Sequence, residues 1–165
     1  MLSTSGATAL FVRDSGRRAR PATRDEILAA LGHIDYARAQ GEKLNAPSAV
    51  ARFLIDRLAR LDYEVFGCVF VDNANKVLAV SELFRGTIDG ASVYPREVVR
   101  AALLHNAASV ILFHNHPSGS TDPSAADRQL TSKLSAALKL VDIRTLDHLI
   151  IAGAAHTSLA ERGEM

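Results

Sequence analysis

Ser109-Val110-Ile111-Leu112-Phe113-His114-Asn115-His116-Pro117-Ser118-Gly119 is the stretch from which the rest of the chain can be read. Its first five residues are apolar, β-branched and aromatic, the composition of a short buried strand. Residues i and i+2 of a strand point to one face, roughly 6 to 7 Å apart. His114 and His116 can therefore aim their imidazoles at one point. Pro117 and Gly119 stop the strand and turn the backbone. Asp122-Pro123 then predicts a helix start, with Asp as N-cap and Pro at the first helical position. That helix would run through Ser124, Asp127, Leu130, Leu134 and Leu138. Ser124 and Asp127 are three apart, so they share a face of its first turn.

Two neutral imidazoles and a carboxylate form a three-ligand set for zinc, leaving the fourth position to water. Structural zinc is usually closed by four protein ligands, so an open position marks a catalytic site. A bare His-x-His can also be a polar strand end, with Asp127 merely complementing the helix dipole. The spacing here is more demanding: His-x-His-Pro, six residues, Ser, two residues, Asp. His114, His116, Pro117, Ser124 and Asp127 meet it position by position. The stretch resembles the JAMM (MPN/JAB) metalloprotease motif, and the longer form His-Asn-His-Pro-Ser-Gly resembles the RadC branch of that superfamily.

Composition bounds the rest. A chain of 165 residues is long enough for one domain with a real core. Its 48% apolar and 22% charged residues are those of a soluble globular protein. A net charge of +1 provides no global field for nucleic acid or membrane. The single cysteine, Cys68, excludes an internal disulfide and thiolate zinc sites, and its apolar strand makes it a small buried hydrophobe. No apolar run reaches the roughly 18 residues of a membrane span. The N-terminus has no apolar h-region, so no secretory signal is expected. Its Arg and Ser content is faintly like a transit peptide, but Asp14 and poor amphipathicity speak against one, and the cytoplasm is the expected location.

Taken in order, residues 1–21 read as a flexible arm, with Arg13, Arg17, Arg18, Arg20 and Arg24 in or beside it. It is either a phosphate-contacting tail or a solvated terminus, and the absence of interleaved aromatics favours the latter. Thr23-Arg24-Asp25-Glu26 is a capping box that opens an N-terminal helix within 22–45, with Ile27, Leu28, Leu31 and Ile34 as its apolar stripe. Pro47 and Ser48 begin a second helix with Val50, Leu54, Leu58 and Leu61 at helical spacing. The period then changes. Glu64 to Val71 reads as a strand, Asp72-Asn73-Ala74-Asn75 as a turn and Lys76 to Phe84 as a second strand, making a hairpin. Gly86 and Gly90 mark an irregular passage, and Pro95 opens a helix through Val98, Val99, Ala102 and Leu103. After the Asp127 helix, Leu146 to Ala152 is a strand, Gly153-Ala154-Ala155 a turn, and His156 to Leu159 a last edge strand. The fold class expected is α/β of the α+β type: a mixed, largely antiparallel sheet flanked by helices.

Residues 46–165 are expected to form the main domain, and 46 to 162 resemble RadC-type MPN domains beyond the metal motif. The matching segments are Asp62-Tyr63-Glu64-Val65-Phe66, Glu82-Leu83-Phe84-Arg85-Gly86-Thr87, Tyr94-Pro95-Arg96-Glu97 and Leu146-Asp147-His148-Leu149-Ile150. The resemblance implies an MPN/JAB-like (cytidine-deaminase-like) architecture and one zinc ion per chain, held by His114, His116 and Asp127. RadC proteins usually carry a helix-hairpin-helix segment ahead of this domain. Residues 1–45 are too short for it and lack its Gly-containing hairpins, which weakens any DNA-binding role.

The chemistry implied is zinc-dependent amide hydrolysis, a metal-bound water attacking the carbonyl. A general base must take the proton and hand it to the leaving amine. In the JAMM family this is a glutamate at the start of a strand that follows a helix, the place Glu64 occupies. Glu82, near the end of the second hairpin strand, is the competitor, and Glu97 at a helix start is a weaker third. Ser124 would donate to the oxyanion, as the resemblance implies, or simply bond backbone in the first helical turn. Asn115 alternates away from the ligands and would fix the loop. Asp147 and His148 resemble the family's Asp-His pair; one of them would orient a metal-bound imidazole, unless the pair faces solvent. His33, His105 and His156 have no partner pattern and read as surface or satisfied core histidines.

Two functions follow from different classes. The first is a JAMM-type zinc peptidase or isopeptidase acting on a peptide or isopeptide, with Glu64 shuttling the proton. The second is a RadC-type protein associated with DNA repair or nucleic acid, using the site structurally or as a metal-dependent nuclease. A single His2Asp site suits amide hydrolysis, whereas many nucleases use two metals about 4 Å apart. A partner-binding module with an inactive site is a third reading, but such MPN domains generally lack the ligand set. No membrane partner is expected, and a homo-oligomer stays open.

Overall fold

A computed structural model describes residues 11–13, 19–21, 47–86 and 93–165. The chain divides into two compact units, Met1–Ala37 and Arg38–Met165. In the first, β1 (Phe11–Arg13) pairs antiparallel with β2 (Ala19–Pro21), within the segment read from sequence as an arm. The capping box at Thr23 and the helix expected within 22–45 lie outside the described residues.

The second unit has the α/β fold expected. Its elements are α1 (Pro47–Leu58), β3 (Glu64–Val71), β4 (Val77–Gly86), α2 (Pro95–Leu104), β5 (Ser109–Asn115), α3 (Ala125–Lys139), β6 (Arg144–Ala152) and β7 (Ala155–Ser158). Five strands form one sheet in the order β4-β3-β5-β6-β7. Every neighbouring pair is antiparallel except β5 and β6, which are parallel. A parallel pair needs a crossover, and α3 supplies it. The central strand β5 is buried along its whole length and β3 along all but its first residue, which is why they read as apolar runs without alternation.

Local chemistry sets the turns. In the β3–β4 hairpin, Asp72 Oδ1 accepts from the backbone N–H groups of Ala74 and Lys76 at 2.8 and 2.9 Å. Asn75 takes φ 59°, a left-handed conformation that Asn tolerates. Pro95 opens α2 directly after Tyr94, as its missing N–H allows.

One face of the sheet packs on α2 and α3. Phe66, Cys68, Phe70, Val110 and Leu112 from the strands meet Val98 and Ala102 of α2 and Leu134 and Leu138 of α3. α1 packs against β6 and β7 through its own buried stripe, Val50, Ala51, Leu54 and Leu58. Each fully buried Leu or Phe of these layers contributes about 1.5–3 kcal/mol. Helix layers of that kind hold β5 and the start of α3 in fixed register, and the ligand motif sits where the two meet. Among the described residues, no helix is long and apolar enough to cross a membrane.

Candidate metal centre

The β5 ladder runs one residue past the strand: His116 N–H donates to the Ile151 carbonyl at 2.8 Å. Strand alternation is thereby kept through His116, and the two imidazoles share a face. Their Nε2 atoms lie 2.9 Å apart. Asp127, from the first turn of α3, brings Oδ1 to 3.3 Å from His114 Nε2 and Oδ2 to 3.8 Å from His116 Nε2. One ligand-type atom from each of the three lies within 4.8 Å of the others.

Local backbone geometry holds each of these side chains. Gly119 has φ +88°, which L side chains rarely adopt, and its N–H closes a turn onto the His116 carbonyl at 3.1 Å. The turn returns the Ser120 carbonyl to within 2.8 Å of His116 Nδ1. A carbonyl only accepts, so Nδ1 carries the proton and Nε2 of the neutral ring presents a lone pair.

Asp127 is fixed by its own helix start. Ser124 Oγ accepts from Asp127 N–H at 3.1 Å, and Asp127 Oδ2 accepts from Ser124 N–H at 2.7 Å. These reciprocal bonds are a capping box. The Ser124 hydroxyl also donates to Asp127 Oδ2 at 2.6 Å. The helix start expected at Asp122-Pro123 is thus corrected by two residues: Ser124 is the N-cap and the helix begins at Ala125. Ser124 wins because it satisfies the Asp127 N–H and is satisfied in return, whereas Asp122 is exposed.

Electrostatics suit a cation. Burial pushes the His114 pKa down to about 4, with Asp127 opposing and His116 assisting. Burial alone would raise the Asp127 pKa, but the Ser124 hydrogen bonds and the two imidazoles leave it below its ordinary value. The cluster therefore offers neutral imidazole and ionised carboxylate, the forms that bind a divalent metal. Two nitrogens, one oxygen and no thiolate fit zinc, with one position left open.

Glu64 is the first residue of β3 and half-buried. Burial raises its pKa; His116 lowers it and Asp127 raises it, so its carboxylate lies in the field of the cluster. Asn115 grips the backbone on either side of it. Its Oδ1 accepts from Val65 N–H at 2.7 Å, and its Nδ2 donates to the Tyr63 carbonyl at 3.0 Å. Glu82 is engaged elsewhere. Arg57 Nε and Nη2 each lie 2.8 Å from its Oε1, and Arg85 Nη2 lies 3.8 Å from its Oε2. Glu97 pairs with Arg96 and Arg100 on α2.

The Asp147-His148 pair divides by strand alternation. His148 is fully buried behind His114, its Nε2 2.8 Å from His114 Nδ1. Asp147 turns the other way. Its Oδ1 accepts from the N–H groups of His148 and Ala160 at 2.7 and 3.0 Å, and its Oδ2 accepts from the Ser158 hydroxyl at 2.7 Å. Phe66 lies across both rings, stacked with His114 and edge-on to His148. Thr131, which sequence reasoning missed, completes the group: its Oγ1 is 2.6 Å from His148 Nδ1. The available signal was a threonine four residues beyond Asp127, inside the apolar stripe of α3. His105 packs its ring on Phe70 and His156 lies in β7; neither belongs to the three-residue ligand group, and His33 lies outside the described residues.

Compared with known proteins, residues 44–164 match the family described as RadC-like JAB domain. A UPF0758 protein of Nitrosococcus oceani is 54% identical over 131 residues, which is 79% of this chain and 58% of that protein. A UPF0758 protein of Xanthomonas oryzae pv. oryzae is 52% identical over 147 residues, 87% of this chain and 65% of that protein. A UPF0758 protein of Thiobacillus denitrificans is 58% identical over 125 residues, 76% of this chain and 56% of that protein. The chain therefore spans between 56% and 65% of the length of these relatives.

Proposed function

The chain belongs to the RadC-like JAB domain family, and from that premise we propose that it is a JAMM-type zinc-dependent metallohydrolase that cleaves a peptide or isopeptide amide. The observation that carries this reading is the convergence of His114 Nε2, His116 Nε2 and the Asp127 carboxylate within 4.8 Å. His114, His116 and Asp127 would hold the ion. When bound, zinc supplies Lewis acidity that polarises an amide carbonyl and lowers the pKa of water at its open position.

Glu64 accepts the proton from the attacking water and delivers it to the leaving amine. Its burial supports this role, since a raised pKa brings a carboxylate nearer the working range of a general base. Asn115 holds the backbone from which Glu64 projects. Ser124 supports the Asp127 carboxylate in the resting site. For it to donate to the oxyanion, its hydroxyl must leave Asp127 Oδ2 and turn to the substrate.

The test is Glu64→Gln assayed on peptide and isopeptide substrates with zinc content measured on the same sample. Hydrolysis should fall about 10²- to 10⁴-fold, the usual contribution of a general base, while zinc and fold are retained. Undiminished hydrolysis by the variant would reject Glu64 as the base. No hydrolysis of any amide by zinc-loaded wild type would reject the activity.

A further inference from the structure

The hydrogen bonds behind His114 form a chain that can run in only one direction. Its fixed end is the backbone carbonyl of Asp127, which lies 2.6 Å from Thr131 Oγ1, one helical turn along α3. A carbonyl has no proton to give, so the Thr131 hydroxyl must donate to it. With its proton so used, Thr131 Oγ1 offers His148 Nδ1 only a lone pair, at 2.6 Å. His148 Nδ1 must then carry a proton, and the neutral ring turns a bare Nε2 toward His114. His114 Nδ1, 2.8 Å away, must supply the next proton. That leaves His114 Nε2 bare, facing His116 and Asp127.

We propose that Thr131 and His148 are positioning residues whose hydrogen bonds, anchored on the Asp127 carbonyl, lock His114 in the tautomer that presents the Nε2 lone pair to the cluster. The reverse direction would set the hydroxyl and carbonyl lone pairs against each other at 2.6 Å and put a proton on the ligating nitrogen. The chain also brings the two ends of Asp127 into one arrangement. It starts at the backbone of Asp127, passes through Thr131 and His148, and ends at His114 Nε2, which lies 3.3 Å from Asp127 Oδ1 with no proton on either atom. Two ligands carried by different elements, β5 and α3, are thereby set relative to each other through β6. Thr131 and His148 are both fully buried, so water does not compete for these bonds. The tautomer follows from these contacts alone; its consequence for zinc rests on the function proposed above.

The experiment uses the full chain labelled with ¹⁵N at histidine. Long-range ¹H–¹⁵N correlation spectra report which ring nitrogen of each histidine holds the proton. In metal-free wild type above neutral pH, His114 and His148 are expected with the proton on Nδ1. Thr131→Val keeps the shape of the side chain and removes the hydroxyl. It should lose the single-tautomer signature at both rings and weaken zinc binding about 10- to 100-fold, as loss of an outer partner does. Thr131→Ser restores the hydroxyl and should restore both readouts.

A proton on His114 Nε2 in the wild type overturns the proposal, even if Thr131→Val fails to fold. So does a folded Thr131→Val whose tautomers and zinc affinity match the wild type. Wild type with the expected tautomer but no zinc binding upholds the relay and rejects the metallohydrolase reading. A metal-free wild type with the proton on His114 Nε2 that nevertheless takes up zinc rejects the relay and leaves the metallohydrolase reading standing.

Discussion

Asn115 bonds to Val65 across the sheet: its side-chain Oδ1 accepts the Val65 backbone N–H at 2.7 Å, fifty residues away in sequence. The same carboxamide donates to the Tyr63 carbonyl, so Glu64 sits between two anchored neighbours. Asn115 alternates with His114 and His116, so one short stretch of β5 serves both faces. Its histidines face the metal cluster, and its asparagine fixes the strand that carries the base.

Asn115→Ala should therefore cost more than a surface change. Both bonds are lost, and Asn115 is only 2% exposed. Two backbone groups left unsatisfied imply a loss of about 2–4 kcal/mol, read by urea unfolding of the metal-free protein. Zinc stoichiometry should hold while hydrolysis falls. Stability within experimental error of the wild type would show that the clamp is not formed.

The two candidate glutamates should separate cleanly. Glu82→Gln loosens a partly exposed ion pair with Arg57 and should change stability by no more than about 1 kcal/mol, with hydrolysis intact. Glu64→Gln should lower hydrolysis about 10²- to 10⁴-fold with zinc retained. The opposite pattern in paired activity assays would assign the base to Glu82.

Gly67 has no room for a methyl group. A Cβ there would collide with the Phe113 ring and the Ser81 carbonyl. Gly67→Ala should cost about 1–3 kcal/mol by overpacking. Phe113 directly precedes His114, so zinc affinity should fall as well. Thermal unfolding with and without zinc measures both effects. An unchanged melting temperature would mean that the ring and the strand adjust freely.

Acid should destabilise the metal-free protein in a window set by the buried imidazoles. Burial holds His114 down to about 4 and His148 well below the ordinary 6.5. A lowered histidine pKa means that the unfolded chain binds more protons, so stability rises with pH between the two values. The contribution is complete above 6.5 and is lost as pH falls toward about 4. The loss should amount to a few kcal/mol, on the order that linkage gives for shifts of this size. Denaturant midpoints across that range test it; a flat profile would contradict the burial of neutral rings.

Much of the fold was legible because its signals are local. Glu64–Val71 and Pro47–Leu58 begin where the period changes and where Pro marks a first turn. The His114–His116 alternation needed only strand geometry. The start of α3 was misjudged because Asp122-Pro123 and Ser124-x-x-Asp127 both encode an N-terminus. Reciprocal bonding, visible only in three dimensions, decides for the second. Thr131 was missed for a different reason: its partner His148 lies on another element, and nothing local marks a mid-helix threonine as its anchor.

The most direct measurement is zinc content by mass spectrometry on protein purified without chelators, wild type beside His116→Ala. About one zinc per wild-type chain is expected, as a mononuclear three-ligand site requires, with loss of that zinc in a folded His116→Ala. A wild type that stays zinc-free after reconstitution while unfolding cooperatively, or a folded His116→Ala that keeps its zinc, would contradict it.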